Sequence, residues 1–393
     1  MSPLSDTPSF SAADHAHMAT ALRLAERGMM TTTPNPRVGC LIVADEKIIG
    51  SGWHRRAGEP HAEALALAQA GTRARGATVY VTLEPCAHHG RTPPCADALI
   101  AAGVRRVVAA VRDPNPLVAG QGLARLAAAG IETGIGLLDE AARELNIGFF
   151  TRMTQGRPWM RLKAAASLDG KTALADGQSQ WITGEDARQD GHRWRARACA
   201  ILSASGTVRH DDPRLNPRGV DERAWGNWSD GNPQDGAEAL PPRAPLKVIV
   251  DSRLELSPQA RLFEDGTPAL IATATPEADP ARIAALQARG AEIVFLPEKT
   301  RPDHVDLSAL CAELARRGIN EVHVEAGRRL NGALIAAGLA DELLLYLAPR
   351  LIGADALDLF ALPPLSALAE SRRLAWHELR QIGEDLRIIA RFF

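Results

Sequence analysis

The sequence predicts two consecutive α/β domains, and three observations carry that expectation. At 393 residues the chain exceeds the roughly 250–300 residues over which one hydrophobic core usually extends. Apolar runs with a strand-like character alternate with runs at helical spacing in both halves. Between the halves, Gly156-Arg157-Pro158 reads as a linker, which places the expected domains at 1–155 and 156–393.

The first half opens with helical spacing from Ala12 to Arg27, and Gly28 is its stop. The run VGCLIVADEKIIGSGWH follows, two short apolar stretches around a polar turn at Asp45 and Glu46, which predicts paired strands. His61 opens the alanine-rich helix HAEALALAQAG, closed by Gly71. ATVYVTLEPC is a β-branched run ending at Pro85, ADALIAAG a helix, and VRRVVAAVRDP a strand. After GLARLAAAG and a strand near ETGIGLL, a single helix is expected over DEAARELNIGFFTRM. The second half restarts with the strand MRLKAAASLDG and continues through KVIVDS, PALIATA, AEIVFLP, EVHVEAG and DELLLYLAP, with helices between several of them. Residues 219–243 are rich in Gly, Pro, Asn and Asp without apolar periodicity, which predicts a surface insertion.

Composition narrows the function. Hydrophobic residues make up 46% and charged residues 23%, the range of a fully folded globular chain. The net charge of −2, from 45 basic and 47 acidic residues, provides no global field for a phosphate backbone, so nucleic acid is not the expected partner. The start MSPLSDTPSFSAADHAHMA lacks the basic opening and apolar run of a signal peptide, and no apolar stretch reaches the roughly 18 residues of a membrane span. A cytoplasmic, membrane-free protein is expected. Five cysteines are an odd and sparse set, pointing to metal ligands or buried thiols rather than a disulfide framework. Cys40, Cys199 and Cys311 have apolar neighbours and are expected to be buried.

Three features of the first half belong together: His61-Ala62-Glu63, Pro85-Cys86, and Cys95, with eight residues between the two cysteines. Zinc takes nitrogen and thiolate ligands tetrahedrally, and a catalytic site uses three protein ligands so that water can take the fourth position. His61, Cys86 and Cys95 supply three. Glu63, at the same helix end, is placed to take a proton from the activated water and pass it to leaving ammonia, as in zinc deaminases. A structural zinc site needs a fourth protein ligand, for which His88 and His89 are the nearby candidates.

The segment PCAHHGRTPPC, from Pro85 to Cys95, resembles the zinc-cysteine segment of the riboflavin-biosynthesis deaminases, and TPNPRVGC resembles their substrate loop. LKAAASLDGKTA (162–173), SQWITG (179–184), SGTVRHDDPRLNPR (205–218) and VEAGRRLNGALI (324–335) resemble, in the same order, the reductase of that bifunctional family, called RibD or RibG. The resemblance implies a cytidine-deaminase-like three-layer domain followed by a dihydrofolate-reductase-like α/β domain. It implies Zn2+ and NADPH as cofactors and a small phosphorylated pyrimidine as substrate. The two implied reactions are deamination of 2,5-diamino-6-ribosylamino-4(3H)-pyrimidinone 5′-phosphate and reduction of its ribosyl group to ribityl. A homo-oligomer, dimer or tetramer, is implied as well.

Residue by residue, the resemblance assigns pyrimidine contact to Asn35 and substrate contact to His88 and Arg91. Cofactor contacts are implied for Ala165, Trp181, Thr207, Asp211, Ser252 and the turn and helix start Gly327, Arg328, Arg329, Leu330, Asn331, Gly332 and Ala333. Ser179, Arg195, Leu215, Arg218 and Glu325 are implied to meet the ribosyl phosphate, and Lys163 and Asp169 to stand near the reacting centre. The residues themselves fit phosphate-rich ligands: Glu325-Ala326-Gly327 leads from a strand into a helix whose N-terminus can hold a dinucleotide phosphate, and arginine forks match phosphate oxygens. The turn is not GxGxxG, which disfavours a Rossmann domain. Asn216 replaces the family's usual threonine, and the 219–243 insertion is long. The rival reading, a nucleic-acid base deaminase with an accessory domain, lacks the basic, aromatic-lined channel it needs.

Overall fold

The computed structural model describes residues 10–87, 94–116, 118–220, 240–275 and 279–393. The chain divides into two compact units, the first running to Gln155 and the second beginning at Gly156, with residues 240–242 grouping with the first; residues 221–239 of the stretch expected to be a surface insertion lie outside the described residues.

The first unit has the order α1 (Ala12–Glu26), β1 (Gly39–Ala44), β2 (Lys47–Trp53), α2 (Ala62–Ala70), β3 (Thr78–Val81), α3 (Cys95–Ala102), β4 (Arg106–Ala109), α4 (Gln121–Ala128), β5 (Glu132–Ile135), α5 (Asp139–Leu145) and α6 (Ile147–Gln155). Among the described residues its sheet is β2-β1-β3-β4-β5, antiparallel at β2, β1 and β3 and parallel from β3 to β5. Strand alternation sends Cys40, Ile42, Val79, Val81 and Val107 to the face covered by Ala62, Ala66 and Ala70 of α2, Leu99 of α3 and Leu126 of α4. On the other face Tyr80 reaches α1, where its hydroxyl donates to Asp14 at 2.7 Å. The result is the three-layer arrangement. α2 lies unusually close to the sheet because β2 offers glycine: a Cβ on Gly50 would stand 2.3 Å from the Ala66 carbonyl, and one on Gly52 2.4 Å from that of Ala62.

The helix expected over DEAARELNIGFFTRM is instead two, α5 and α6, separated at Asn146. Asn146 is committed elsewhere: its Oδ1 accepts from the Arg37 N–H at 2.8 Å and its Nδ2 donates to the Arg37 carbonyl at 2.9 Å.

The second unit contains β6 (Trp159–Ser167), β7 (Lys171–Ala173), α7 (Glu185–Arg197), β8 (Ala200–Ala204), α8 (Ser205–Asp211), β9 (Leu246–Val250), β10 (Ala269–Thr273), α9 (Pro280–Gln287), β11 (Ala291–Phe295), α10 (Leu307–Arg316), β12 (Glu321–Val324), α11 (Arg328–Ala336), β13 (Glu342–Ala348), β14 (Leu357–Asp358), β15 (Leu374–Ile382) and β16 (Asp385–Phe392). Among the described residues nine strands form one sheet, β11-β10-β9-β8-β12-β6-β13-β16-β15, parallel from β11 to β13 and antiparallel through the final hairpin. Leu162, Leu202, Val248 and Val324 meet α10 and α11 through Leu310, Leu314, Leu334 and Ile335 on one face. Ile201, Ile249 and Ile271 pack against Val208, Leu254 and Phe263 on the other. β8 and the β15–β16 hairpin were not among the strands read from the sequence. Cys40, Cys199 and Cys311 are all buried.

Candidate functional site

In the first unit the chemistry gathers at the start of α2. His61 is the residue capping that helix, and Cys95 is the first residue of α3. The Cys95 Sγ lies 3.3 Å from His61 Nδ1 and the Cys86 Sγ 3.7 Å from it. One donor atom from each residue falls within 4.8 Å of the others, and the Cys95 backbone N–H donates to the Cys86 sulfur at 3.3 Å. One imidazole nitrogen and two thiols converging in this way are a donor set that zinc takes; the described residues add no fourth ligand, and the two candidates for one, His88 and His89, lie outside them. The thiols share a hydrogen bond that holds Cys86 down to about 4, with His61 contributing, while the same bond and burial push Cys95 up. Glu63 sits in the first turn of α2 with 4% of its surface exposed; burial raises its pKa against the pull of His61.

A third wall comes from the loop before β1. Asn35 Nδ2 donates to His54 Nε2 at 3.0 Å, while His54 Nδ1 faces the Pro60 carbonyl at 3.2 Å. With Nδ1–H on Pro60, Nε2 is left to accept from the Asn35 amide N–H, which fixes the amide's orientation. Burial lowers the His54 pKa, consistent with a neutral ring. The His54 and His61 rings meet edge to face at 5.3 Å. The loop is anchored by buried Arg37, whose guanidinium donates to the carbonyls of Leu145 and Met29 at 2.7 and 3.1 Å. His54 was missed in the sequence; its only signal was a histidine closing a strand seven residues before a ligand histidine. His88 and Arg91 lie outside the described residues.

In the second unit a cleft of about 2010 Å³ opens at the carboxyl ends of β6, β12, β8 and β9, where parallel sheets place their ligands. Lys163, Ala165, Ser179, Trp181, Arg195, Thr207, Asp211, Leu215, Arg218, Ser252 and Glu325 all line it, as do Gly327 to Asn331 and Ala333. Gly332 does not: it faces the Ala361 backbone, which a Cβ would meet at 2.3 Å. Asp169 also stands apart from the cleft. Its carboxylate accepts from the Ser167 hydroxyl and from the Ile352 and Gly353 N–H groups, which hold it down to about 2 and tie the turn after β6 to the segment after β13.

Glu325 and Arg195 form a two-pronged ion pair at the cleft wall. Burial opposes the charge on Glu325, but Arg195 and His323 hold its pKa well below the ordinary range. Arg218 carries no ion pair among the described residues, and burial with the cations of Arg195, Arg214 and Arg261 lowers its pKa. An anion held there would offset that crowding of cations. His192 is held down to about 4 by burial and by Arg195 and Arg218, and burial lowers the Lys163 pKa. The Asn216 side chain turns away to Asp265, while its carbonyl accepts from Arg195 at 3.3 Å, so the departure from threonine leaves the cleft wall intact. At the other end, Gly327 N–H donates to the Thr207 hydroxyl at 3.2 Å. The first turn of α11 behind it has N–H groups without intrahelical partners. Those free donors suit the diphosphate of a dinucleotide such as NADPH.

Residues 158–388 match the family model "RibD C-terminal domain", and residues 11–111 match "Cytidine and deoxycytidylate deaminase zinc-binding region". A riboflavin biosynthesis protein RibD from Escherichia coli is 47% identical over 379 residues, covering 95% of this chain and 98% of the relative. The structure of Acinetobacter baumannii RibD superposes with a TM-score of 0.86 at 40% identity, covering 97% of this chain and 99% of that one. A Thermotoga maritima diaminohydroxyphosphoribosylaminopyrimidine deaminase/5-amino-6-(5-phosphoribosylamino)uracil reductase gives a TM-score of 0.81 at 31% identity, with the same coverage of both chains.

Proposed function

Because the chain belongs to the RibD family of riboflavin-biosynthesis enzymes, we infer that its two candidate sites act in turn on one phosphorylated pyrimidine. The protein is a bifunctional deaminase and reductase. The first reaction hydrolyses the exocyclic amino group of 2,5-diamino-6-ribosylamino-4(3H)-pyrimidinone 5′-phosphate; the second reduces the ribosyl group to ribityl, giving 5-amino-6-(5-phosphoribitylamino)uracil. The observation that carries the residue assignment is the convergence of His61, Cys86 and Cys95 at the start of α2, with Glu63 buried in its first turn.

His61 Nδ1 and the two Sγ atoms would hold zinc, whose chemistry when bound would be Lewis-acid activation of water. The Glu63 carboxylate takes a proton from the attacking water and returns it to the leaving amino nitrogen. The Asn35 carbonyl oxygen accepts from the pyrimidine edge, with its amide fixed by His54. In the second unit NADPH, when bound, would be the source of the hydride. The α11 N-terminus, Thr207 and Ser252 hold the cofactor, Arg218 and Arg195 hold the ribosyl phosphate, and Glu325 fixes Arg195. Lys163 and Ser179, which line the same cleft, orient the sugar. Catalysis there is mainly positioning.

We also assign a cytoplasmic, homo-oligomeric protein. Five cysteines without a disulfide support a reducing compartment, and no helix among the described residues is long and apolar enough to cross a membrane. The exposed Trp376 and Leu379 on the edge strand β15 support assembly through the second unit.

The test is a paired assay of ammonia release and NADPH oxidation in wild type and Glu63→Ala. The variant should lose ammonia release and still oxidise NADPH on pre-deaminated substrate. Ammonia release at the wild-type rate in the variant would refute the role given to Glu63.

A further inference from the structure

Four consecutive residues, Glu84 to Ala87, are each held by a different contact from α3, α4 or the loop before α4. Glu84 is 3% exposed although charged. Its Oε2 accepts from the N–H groups of Gly120 (2.9 Å) and Asp113 (3.3 Å), and its Oε1 from those of Gly122 (3.0 Å) and Leu123 (3.2 Å). The Pro85 carbonyl lies against Gly122 so closely that a Cβ there would stand 1.9 Å from it. The Cys86 carbonyl accepts from the Ala96 N–H of α3 at 3.2 Å. The Ala87 carbonyl accepts from Arg125 Nη1 of α4 at 3.2 Å, and the same guanidinium pairs with Asp97 of α3 at 2.7 Å.

Resting on the reading of Cys86 as a zinc ligand, we propose that Glu84 and Arg125 are positioning residues that use α4 as a template to set the Cys86 thiolate against His61 and Cys95. Neither touches metal or substrate. An ordinary helix cap is local, contributed by the residue at the helix start. At α4 that residue is Gly120, in left-handed backbone and with no side chain to offer. The carboxylate comes instead from two residues before a ligand, at a sequence separation of 36 to 39. A carboxylate accepting four N–H bonds has no rotational freedom left, so the segment that carries the thiolate inherits the fixed orientation of α4. Arg125 then ties that segment's far end to α3, which begins with the other thiol ligand.

The experiment uses full-length protein, with zinc affinity measured against a chromophoric chelator and the thiolate-to-cobalt charge-transfer band recorded after Co(II) substitution. Variants are Glu84→Gln, Arg125→Met, Cys86→Ser and, as a control, Asp14→Asn. Asp14 caps α1 and binds Tyr80 and Arg106 in the same unit without touching residues 84–87. E84Q should weaken zinc binding roughly ten- to a hundredfold, the usual effect of losing a group that orients a ligand, and shift the band; R125M should do so less. D14N should lower the unfolding midpoint and leave both readouts unchanged. Should E84Q not fold, R125M, whose side chain is 46% exposed, decides alone. A wild-type band abolished by C86S but unmoved in E84Q and R125M, with zinc affinity unchanged, would overturn the proposal while leaving the ligand reading intact. No thiolate band in wild type would overturn both.

Discussion

Gly52→Ala adds one methyl group 10 residues or more away in sequence from every residue of the zinc trio except His61, and it should disable deamination. The added Cβ would stand 2.4 Å from the Ala62 carbonyl oxygen, 2.8 Å from the Leu65 Cβ and 2.9 Å from the Ala66 N, where ordinary contact begins at 3.4 Å. Two of these three atoms are helix backbone and cannot swing aside, so the first turn of α2 must retreat by about 1 Å, a displacement that can cost about 10²-fold in rate when it misplaces reacting groups. His61 and Glu63 flank Ala62 and move with it. The stability cost is that of overpacking, about 1–3 kcal/mol. Gly71→Ala is the control: its backbone stands at φ 57, ψ −137 with nothing within 4 Å, so it costs about 1–3 kcal/mol of local backbone strain without pushing α2. Ammonia release from the diaminopyrimidine phosphate is the assay, with NADPH oxidation on pre-deaminated substrate as the internal reference. G52A should lose about 10²-fold in the first and nothing in the second, while G71A keeps both. A folded G52A protein deaminating within about twofold of wild type would refute the claim that helix seating, rather than the ligands alone, sets the site.

Other outcomes follow from the second unit. Arg218→Met should raise KM for the ribosyl phosphate substrate by about 10- to 100-fold, as expected for charge-assisted bonds of about 1.5–3 kcal/mol, with deamination unaffected; steady-state kinetics on pre-deaminated substrate checks it. His192 has a folded pKa of about 4 against an ordinary 6.5, so between those values the unfolded chain binds a proton that the folded one does not, and stability must fall as pH drops through that window. Denaturant unfolding across that window should show this slope in wild type and a shallower one in His192→Asn. Arg161 is 1% exposed, pairs with Glu342 and Glu321, and stacks 4.5 Å over Trp194. Arg161→Met leaves buried carboxylates short of a partner and should destabilise the second unit by about 3–5 kcal/mol, whereas adding Glu342→Leu should recover part of that loss.

The sequence was legible where chemistry is written in short spacings. HAE, PC and the second cysteine identify ligand types without knowledge of the fold, because zinc accepts few donor sets. The alternation of strand and helix in both halves likewise follows from local apolar period, and Gly71 ends α2 as its position after an alanine-rich run implies. The break at Asn146 was not legible. Asn146 interrupts a helical pattern because its amide serves Arg37, a partner 109 residues away, and nothing in the local period reports that. The β15–β16 hairpin escaped for a related reason: β15 is an edge strand with most of its residues exposed, so it carries little of the alternation that marks a half-buried strand.

The contrast between Glu63 and Glu84 shows what separates the legible from the illegible. Both are buried acids beside zinc-ligand residues, with exposures of 4% and 3%. Glu63 declares itself because its role lies within two residues of a ligand histidine, and the chemistry demands a carboxylate there. Glu84 is equally close to Cys86 in sequence, yet every N–H its carboxylate accepts from lies between residues 113 and 123, so proximity alone would have assigned it to the metal. Only the fold reveals that its carboxylate faces away from the reacting centre and into the α4 N-terminus. The same holds for Gly50, Gly52 and Gly122, which read as ordinary strand and helix residues but are the points where backbone must approach backbone for the ligands to meet. Ligand identity is thus encoded locally in this chain, and ligand placement non-locally, which is why substitutions that leave the zinc trio untouched are the sharper test of how the site is built.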